Sequence, residues 1–158
     1  MDKNTAIINY LIQCPAIQDS PLYFNFVHGN EDDKQIITTS NEKNIDRPYV
    51  DGSVLKRFTF TIIDFKSIAY RAVVKDGLHP DENVEDLLQV QGIIDWIEEQ
   101  NEERNFPDFG EECVIEEITT TASNPNLNGI DSNVSPALAK YSISIQVNYI
   151  DYSKVLWN

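Results

Sequence analysis

The segment from Asn83 to Arg104 constrains the fold most, because it predicts a single long amphipathic helix. Asn83 is the predicted N-cap, and Pro107 prevents the helix from continuing. Apolar residues recur at steps of three and four and form one wide face: Val84, Leu87, Leu88, Val90, Ile94 and Ile97. So wide an apolar face needs a sheet to cover, and strand-like segments at 55–74 and 113–150 can supply one. The pattern therefore indicates an α+β domain.

Strands are predicted where apolar and polar residues alternate or, at 113–121, where β-branched residues are frequent. These segments are 22–27, 54–63, 65–74, 113–121 and 140–149. A short N-terminal helix is predicted over Thr5 to Gln13. We expect one α+β domain spanning residues 1–158, with a mostly antiparallel sheet of four to five strands. The long helix 83–104 and the short N-terminal helix would cover that sheet.

Two segments do not follow these patterns. Residues 123–137 are polar and contain several turn signals, so they predict a long loop of the kind that is often functional or disordered. The C-terminal tail 153–158 ends in hydrophobic residues that dock either on their own core or on a neighbouring molecule.

The charge of the chain is strongly negative, with 26 acidic and 12 basic residues and a formal net charge of −14. Residues 95–117 contain ten of the acids and one base, Arg104. Such a chain repels phosphate backbones, which argues against specific nucleic-acid binding. The acidic helix face is either simply solvated or presented to something: a basic partner, or a passage to which DNA must not adhere. No apolar run is long enough for a membrane span.

Motifs for catalysis, cofactors or metals are absent from the sequence. His28 and His79 are the only histidines, and neither has a cysteine or another histidine within four residues. There is no glycine-rich phosphate loop, no G-x-S-x-G and no H-E-x-x-H. We expect no enzymatic activity, cofactor or metal. Cys14 and Cys113 are interpreted as reduced thiols, with a disulfide or a Cys–His nucleophile as unsupported alternatives.

Six short motifs occur in one order along nearly the whole chain. They are NYLIQCP at 9–15, YVDGS at 49–53, NVEDL at 83–87, WIEEQ at 96–100, FPDF at 106–109 and KYSISIQVNY at 140–149. The succession resembles a family of small phage and prophage proteins of low-G+C Gram-positive bacteria. Members are often catalogued as minor capsid proteins and are similar to tail terminator, or tail completion, proteins.

The resemblance implies a tail-terminator-like domain that forms a ring, typically a hexamer, at the head-proximal end of a phage tail. In contractile tails and tailocins the equivalent ring is the collar. The implied partners are further copies of the chain, the tail tube, the sheath where one exists, and the head–tail connector. The implied location is the tail-neck region of a virion or phage-like particle, reached from the host cytoplasm. No catalytic residues come with this family.

Two sets of candidate residues follow from the ring hypothesis. Those expected to face the lumen, where DNA passes, are Asp95, Glu98, Glu99, Glu102 and Glu103. Those expected to contact a neighbouring subunit are Val155, Leu156 and Trp157. The alternative function is an acidic intracellular binding module, or an inhibitor, for a basic protein partner. A small enzyme is a third alternative, for which no set of residues gives support.

Overall fold

The computed structural model describes residues 2–18, 22–24, 34–37, 43–67, 82–121, 126–131 and 138–155. Within them the chain forms two helices and seven strands, which confirms the α+β class. In chain order they are α1 (Lys3–Leu11), β1 (Leu22–Phe24), β2 (Lys34–Ile37), β3 (Lys43–Pro48), β4 (Val54–Ser67), α2 (Glu82–Glu103), β5 (Cys113–Thr120), β6 (Asn126–Asp131) and β7 (Leu138–Asp151).

All seven strands belong to one sheet, built around the long strands β4 and β7. These two pair antiparallel over their full lengths, from Val54 opposite Asp151 to Ser67 opposite Leu138. β3 and β2 share the outer edge of β4, while β5 and β6 share that of β7. β1 pairs with β2 in parallel. The expected number of strands, four to five, was too low because each outer edge is divided between two short strands.

One face of the sheet packs against the helices and forms the core. Alternate residues of β4 and β7 point into it, as period-two patterning requires: Phe58, Phe60, Ile62, Ile143, Ile145, Val147 and Tyr149. α2 contributes Val90, Ile93, Ile94 and Ile97, and α1 contributes Ile7, Tyr10 and Leu11. Tyr10 also packs against Trp96 of α2, with ring centroids 4.9 Å apart and ring planes tilted by 51°. The alternation that predicts a strand over 140–149 is therefore confirmed: the odd-numbered residues from 143 to 149 are buried in the core, and Tyr141 packs against it.

The predicted helix 83–104 is confirmed to within one residue at each end. Because α2 begins at Glu82, Asn83 lies inside the helix and the N-cap prediction was wrong. The helix ends at Arg104, which adopts the left-handed conformation with φ 56°. The amide of Asn105 then donates to the carbonyl of Gln100 and the amide of Arg104 to that of Asn101, at 2.9 and 3.2 Å. This pair of bonds is a Schellman motif.

Leu88 differs from Val90, Ile94 and Ile97 of the predicted apolar face, since its side chain is 64% exposed. The side chains of the predicted residues Val84 and Leu87 lie outside the described part of the chain. Leu88 precedes Val90 by two residues, which corresponds to a rotation of about 200° around the helix axis. Leu88 therefore lies on the side of α2 that faces away from the core, and its assignment to the inner face was wrong.

A β-bulge shapes β5 and its contact with α2. Ile115 pairs with Tyr149 and Glu117 with Asn148, so Glu116 is an extra residue. Ile115 and Ile118 are both buried although they are three residues apart. The amide of Ile118 donates to Oδ1 of Asn101 on α2, at 2.9 Å. A helix side chain thus covers this point of the strand edge.

Three strand predictions need correction. The segment 123–137, expected to be a loop, contains β6, which pairs with the first half of β7 and has an irregular register between Leu127 and Ile130. A strand forms there because β5 reaches only the second half of β7 and the remaining backbone groups need partners. β4 continues without interruption to Ser67, where two strands were expected. The predicted residues 25–27, 68–74, 122–125 and 132–137 lie outside the described part of the chain.

Candidate functional site

The acidic surface consists of the ten carboxylates of residues 95–117, and all ten are exposed. Five lie on α2: Asp95, Glu98, Glu99, Glu102 and Glu103. The others lie on the loop that follows and on β5: Asp108, Glu111, Glu112, Glu116 and Glu117. The predicted set on α2 thus continues over two neighbouring elements. Whether it faces a ring lumen stays a prediction.

Three of these ten carboxylates accept hydrogen bonds, each from an uncharged group. Asp95 accepts from Nε2 of Gln91 at 3.1 Å, Glu117 from Nδ2 of Asn148 at 2.5 Å, and Asp108 from the amide of Gly110 at 2.9 Å. Among the described residues, none of the ten forms an ion pair. Within the described ranges, their negative charge is therefore not neutralised by ion pairs.

The C-terminal end of α2 carries negative charge, although the helix dipole favours positive charge there. Glu102 and Glu103 lie in its last turn, which contains no basic residue. The carbonyl groups there form the negative end of the helix dipole, so cations stabilise this position and anions oppose it. Local rules of this kind are most often broken where function requires it.

A groove lies beside the loop that connects α2 to β5. Its volume is about 310 Å³, and its lining includes Phe106, Pro107, Val114 and Ile115, with Arg104 and Asp108 at its polar parts. The guanidinium of Arg104 lies 5.3 Å from the centre of the Phe106 ring. A second cleft of about 280 Å³ lies between the same loop and α1. A lining that is part apolar and part polar, in an acidic neighbourhood, suits a protein segment that carries both hydrophobic and basic side chains.

The turn between β3 and β4 forms a rigid, exposed tip, which we call the hairpin tip (residues 49–53). The amide of Tyr49 donates to the carbonyl of Ser53 at 2.8 Å, and that of Gly52 to Tyr49 at 3.1 Å. Asp51 Oδ1 accepts from the amide and the hydroxyl of Ser53, and these bonds lower the pKa of Asp51. Val50, at the end of the tip, is fully exposed.

The C-terminal segment passes close to this tip. Gly52 has φ 95°, and a Cβ placed on it would lie 3.0 Å from the carbonyl oxygen of Lys154 and 3.8 Å from Cα of Val155. The backbone of Val155 thus runs close to Gly52 of its own chain, and the predicted contact of Val155 with a neighbouring subunit stays a prediction. Leu156 and Trp157 lie outside the described residues, so the predicted contact stays a prediction for this tail.

A buried charged pair lies on the helix-covered face at the far end of β4. Asp64 and Lys66 are almost completely inaccessible, and their Oδ1 and Nζ atoms are 3.8 Å apart. Nζ of Lys66 also donates to Oε1 of Gln89 at 2.9 Å. The pair therefore links β4 to α2. The sequence did not predict it, because a strand pattern alone does not reveal which charged residues are buried.

Groups that support chemistry are sparse among the described residues. No three His, Cys, Asp or Glu side chains in that part of the chain are placed to bind a metal ion. Neither Cys14 nor Cys113 is in a disulfide. Burial, together with the nearby Cys14, raises the pKa of Tyr10, whose hydroxyl donates to the carbonyl of Asn105 at 2.9 Å. His28 and His79 lie outside the described ranges.

Sequence reasoning missed the hairpin tip and the groove. The Asp51–Gly52 pair is a turn signal, but nothing in the sequence identifies its neighbours Tyr49 and Val50 as exposed. Phe106 and Phe109 both line the groove and both contact the core, where Phe109 is buried and Phe106 is partly buried. No helix in the described ranges has the length and hydrophobicity that crossing a membrane requires.

No model of a known protein family matches this chain, and a search among curated proteins finds no match.

Proposed function

We propose that this protein is a structural subunit of a ring that caps the head-proximal end of a phage tail or of a phage-like contractile tail. The ring ends polymerisation of the tail tube and joins the tail to the head connector or collar. The motif order along the chain suggests this role, and the fold would be a tail-terminator-like variant of the α+β class. The protein would act without catalysis, in the tail-neck region of the particle.

The observation that carries the proposal is the acidic surface of residues 95–117. Ten exposed carboxylates on adjacent elements, without ion pairs among the described residues, produce a field that opposes the approach of phosphate groups. A ring that surrounds passing DNA must not bind it tightly, and counterion release favours tight binding wherever lysine and arginine line the path. The C-terminal end of α2 supports this interpretation, since Glu102 and Glu103 are placed there against the helix dipole.

The decisive experiment removes the protein from the particle. Electron micrographs of particles that lack it should show tails of irregular, excessive length that are not joined to heads. Purified protein added to tail tubes in vitro should bind one end of each tube and restore joining. Tails of normal length, capped and joined without the protein, would contradict the proposal.

The position of the acidic surface within the ring has its own test. We expect the four-fold variant Glu98→Lys, Glu99→Lys, Glu102→Lys and Glu103→Lys to form rings and end tails normally, because these side chains are exposed. DNA passage through the neck should be slowed, since the lumen would then attract the duplex. Normal DNA delivery, with these residues on the outer rim of a ring structure, would remove the lumen from the proposal.

A second candidate function is a binding module, or inhibitor, for a basic protein. The groove of about 310 Å³ favours it, because a lining that is part apolar and is bordered by the acidic surface fits a segment with hydrophobic and basic side chains. Light scattering separates the two candidates. A ring subunit forms oligomers, either alone or when tail tubes are added, whereas a binding module stays at one small size and ignores the tubes.

A further inference from the structure

We propose that two copies of this chain pair face to face through the side of the sheet that is opposite the helices. We call this side the second sheet face and define it by the residues within 55–59, 114–119 and 146–150 that point away from the core. The pair is isologous, since each copy uses the same surface. The inference goes beyond the proposed ring and does not rest on it, because an isologous pair is complete with two copies.

The second sheet face is accessible within the described part of the chain. Side chains alternate along a strand, so the residues between the core positions of β4 and β7 point to the opposite side. Both described helices lie on the core side, where their apolar residues are buried with those of the sheet. On the second face Glu117 and Val114 are exposed. Farther along the same face Ile63 and Phe65 are buried, so the accessible part is the end at which β7 finishes.

Cross-strand rows give the two flanks of this face the same chemistry. Each row contains one residue of β4, one of β7 and one of β5. One row is apolar and consists of Leu55, Ile150 and Val114. Two rows farther along, the residues are uncharged and polar: Thr59, Gln146 and Thr119. In both rows the β4 residue and the β5 residue are of the same kind, and β7 lies midway between them.

The row between these two is charged, with opposite signs on its flanks. It consists of Arg57, Asn148 and Glu117. Asn148 Oδ1 accepts from Nε of Arg57 at 3.3 Å, and Nδ2 of Asn148 donates to Glu117 at 2.5 Å. These bonds hold both charged side chains over the face, yet neither side chain forms an ion pair among the described residues. The terminal nitrogens of Arg57 and Oε2 of Glu117 are therefore available to a partner.

This arrangement identifies the partner as a second copy. A two-fold axis along β7 places β4 of one copy over β5 of the other. Each β4 residue then meets the β5 residue of the same row, so Arg57 meets Glu117, an apolar residue meets an apolar one, and threonine meets threonine. Packed sheets cross at about 30°, which moves the neighbouring rows by only a few ångströms when Asn148 lies on the axis. The face is complementary to itself in all three rows, which is the condition for an isologous contact.

Electrostatics favours this face over the acidic surface on α2. Two copies with a net charge of −14 repel each other, so they approach most easily where the local charge is mixed. Lys43 of β3 is in register with Arg57, and Glu116, the extra residue of the bulge, adjoins Glu117. The charged row thus has two bases at one end and two acids at the other. The two-fold axis brings the unlike ends together, whereas contact through α2 would place carboxylates against carboxylates.

The size of the face determines the expected strength of pairing. Three strands about 4.8 Å apart and three rows about 7 Å apart cover an area of roughly 15 by 20 Å. That area is small for a protein interface. Pairing should therefore be weak and should increase with protein concentration.

A charge exchange between two variants tests the contact. In sedimentation experiments at physiological salt, wild-type protein should form dimers as its concentration rises to about 1 mM. Arg57→Glu alone and Glu117→Arg alone should each weaken self-association by about tenfold or more, because a symmetric pair of either variant contains two contacts between like charges. A mixture of the two variants should recover wild-type association, since both contacts between unlike copies then join opposite charges.

Recovery in the mixture separates the contact between copies from the bonds within one chain. Both variants also lose their bond to Asn148 of the same chain, and mixing cannot restore that bond. Glu98→Arg is the matched control, because it changes the net charge as Glu117→Arg does but lies exposed on α2. It should not weaken self-association. Thermal melts followed by circular dichroism should show that all three variants fold like the wild type.

Cross-linking locates the axis of the pair. In a Cys113→Ser background, Gln146→Cys places a thiol on β7 beside the axis, and the remaining native thiol, Cys14, is buried. A short bis-maleimide should join two such copies into a covalent dimer, and adding Arg57→Glu should reduce the yield. Leu88→Cys in the same background is the control and should give no dimer, since Leu88 is exposed on α2, on the other side of the sheet.

The outcomes separate this pair from the proposed ring. If wild-type protein stays monomeric at every concentration, or if mixing the two charge variants does not restore association, the face-to-face pair is overturned. If rings form equally well from the wild type and from both charge variants, and Gln146→Cys gives no covalent dimer, the ring stands and the pair is wrong. If the charge variants lose pairing but still bind the ends of tail tubes, the pair is supported independently of the ring.

Discussion

The two faces of α2 belong to one helix, but different requirements determine them. On the inner face, Val90, Ile93, Ile94 and Ile97 are at most 1% exposed and pack against the sheet. On the outer face, the carboxylates from Asp95 to Glu103 are exposed and lack ion pairs within the described residues. Buried apolar groups account for most of the stability of a domain, whereas isolated surface charges contribute little. The inner face therefore explains why the helix forms, and the outer face is available for function.

The largest expected effect follows from truncating the inner face. Ile97→Ala leaves a cavity beneath a fully buried side chain and should lower the free energy of unfolding by about 3 kcal/mol. The adjacent outer-face change Glu98→Ala is the control and should alter it by less than about 0.5 kcal/mol. Urea denaturation measures both. If the two variants lose equal free energy of unfolding, the outer face also contributes to stability, and the two faces of α2 do not differ in the way described above.

The inner face is also the part of the fold that the sequence predicted best. Burial of one helix face and of alternate strand residues produces a periodic pattern of apolar residues in the sequence. The bounds of α2 and β7 were therefore predicted to within one or two residues. Leu88 was misassigned because a two-residue step was counted with the three- and four-residue steps. The pairing of β6 with β7 was not predictable, because a polar strand is defined by a distant partner and not by its own pattern.

The candidate site was predicted only in part, and for a physical reason. Exposure of charged residues is the ordinary expectation, so the carboxylates of α2 were found from composition alone. The groove and the hairpin tip depend on how the 105–110 loop and the turn at 49–53 are placed by elements distant in sequence. Exposure of an apolar side chain such as Val50 leaves no periodic signal.

A second effect is expected at the boundary between the two faces, where Asn101 caps the edge of β5. Asn101→Ala removes the acceptor of the Ile118 amide and should destabilise the fold by about 1–2 kcal/mol, because a buried donor is left without a partner. Asn101→Asp keeps an acceptor oxygen and should cost less than the alanine variant. Urea denaturation and amide exchange at Ile118 report the result. An unchanged exchange rate in Asn101→Ala would contradict this role for the side chain.

Asp151 is a carboxylate with a charged partner and contrasts with the ten on the acidic surface. Partial burial raises its pKa, but bonds from Lys56 and Ser153 outweigh that effect and lower the pKa to about 2. Because the pKa in the folded state is below that of the unfolded chain, the contribution is present above about pH 4 and is lost as the pH falls towards 2. Solvent screening limits it to about 1 kcal/mol. We expect the stability deficit of Asp151→Asn at pH 6 to vanish near pH 2, which acid titration of unfolding would measure.

At the end of α2, one substitution should stabilise the protein. Arg104 adopts a left-handed conformation that a side chain disfavours and glycine accepts, so Arg104→Gly should raise the free energy of unfolding by about 0.7 kcal/mol. The stacking of Arg104 on Phe106 would be lost and reduces the gain. Arg104→Ala is the matched control, because it loses the same stacking without gaining the freedom of glycine. If the two variants have equal stability, the backbone conformation is not the cause.

The smallest expected effect distinguishes a solvated outer face from one retained for function. Glu102→Gln with Glu103→Gln removes two negative charges from the last turn of α2, where the helix dipole opposes them. The double variant should be more stable by about 0.5 kcal/mol at low ionic strength, and the difference should disappear at high salt because surface charges are screened. Asp95→Gln, farther from the helix end, is the control and should change stability less.

The effect of the double variant on DNA passage decides how the gain in stability is interpreted. If stability rises and DNA passage through the assembled neck is impaired, the acidic end of α2 lowers the stability of the helix but is needed for function. A gain without any such impairment would reduce the outer face to a solvated surface.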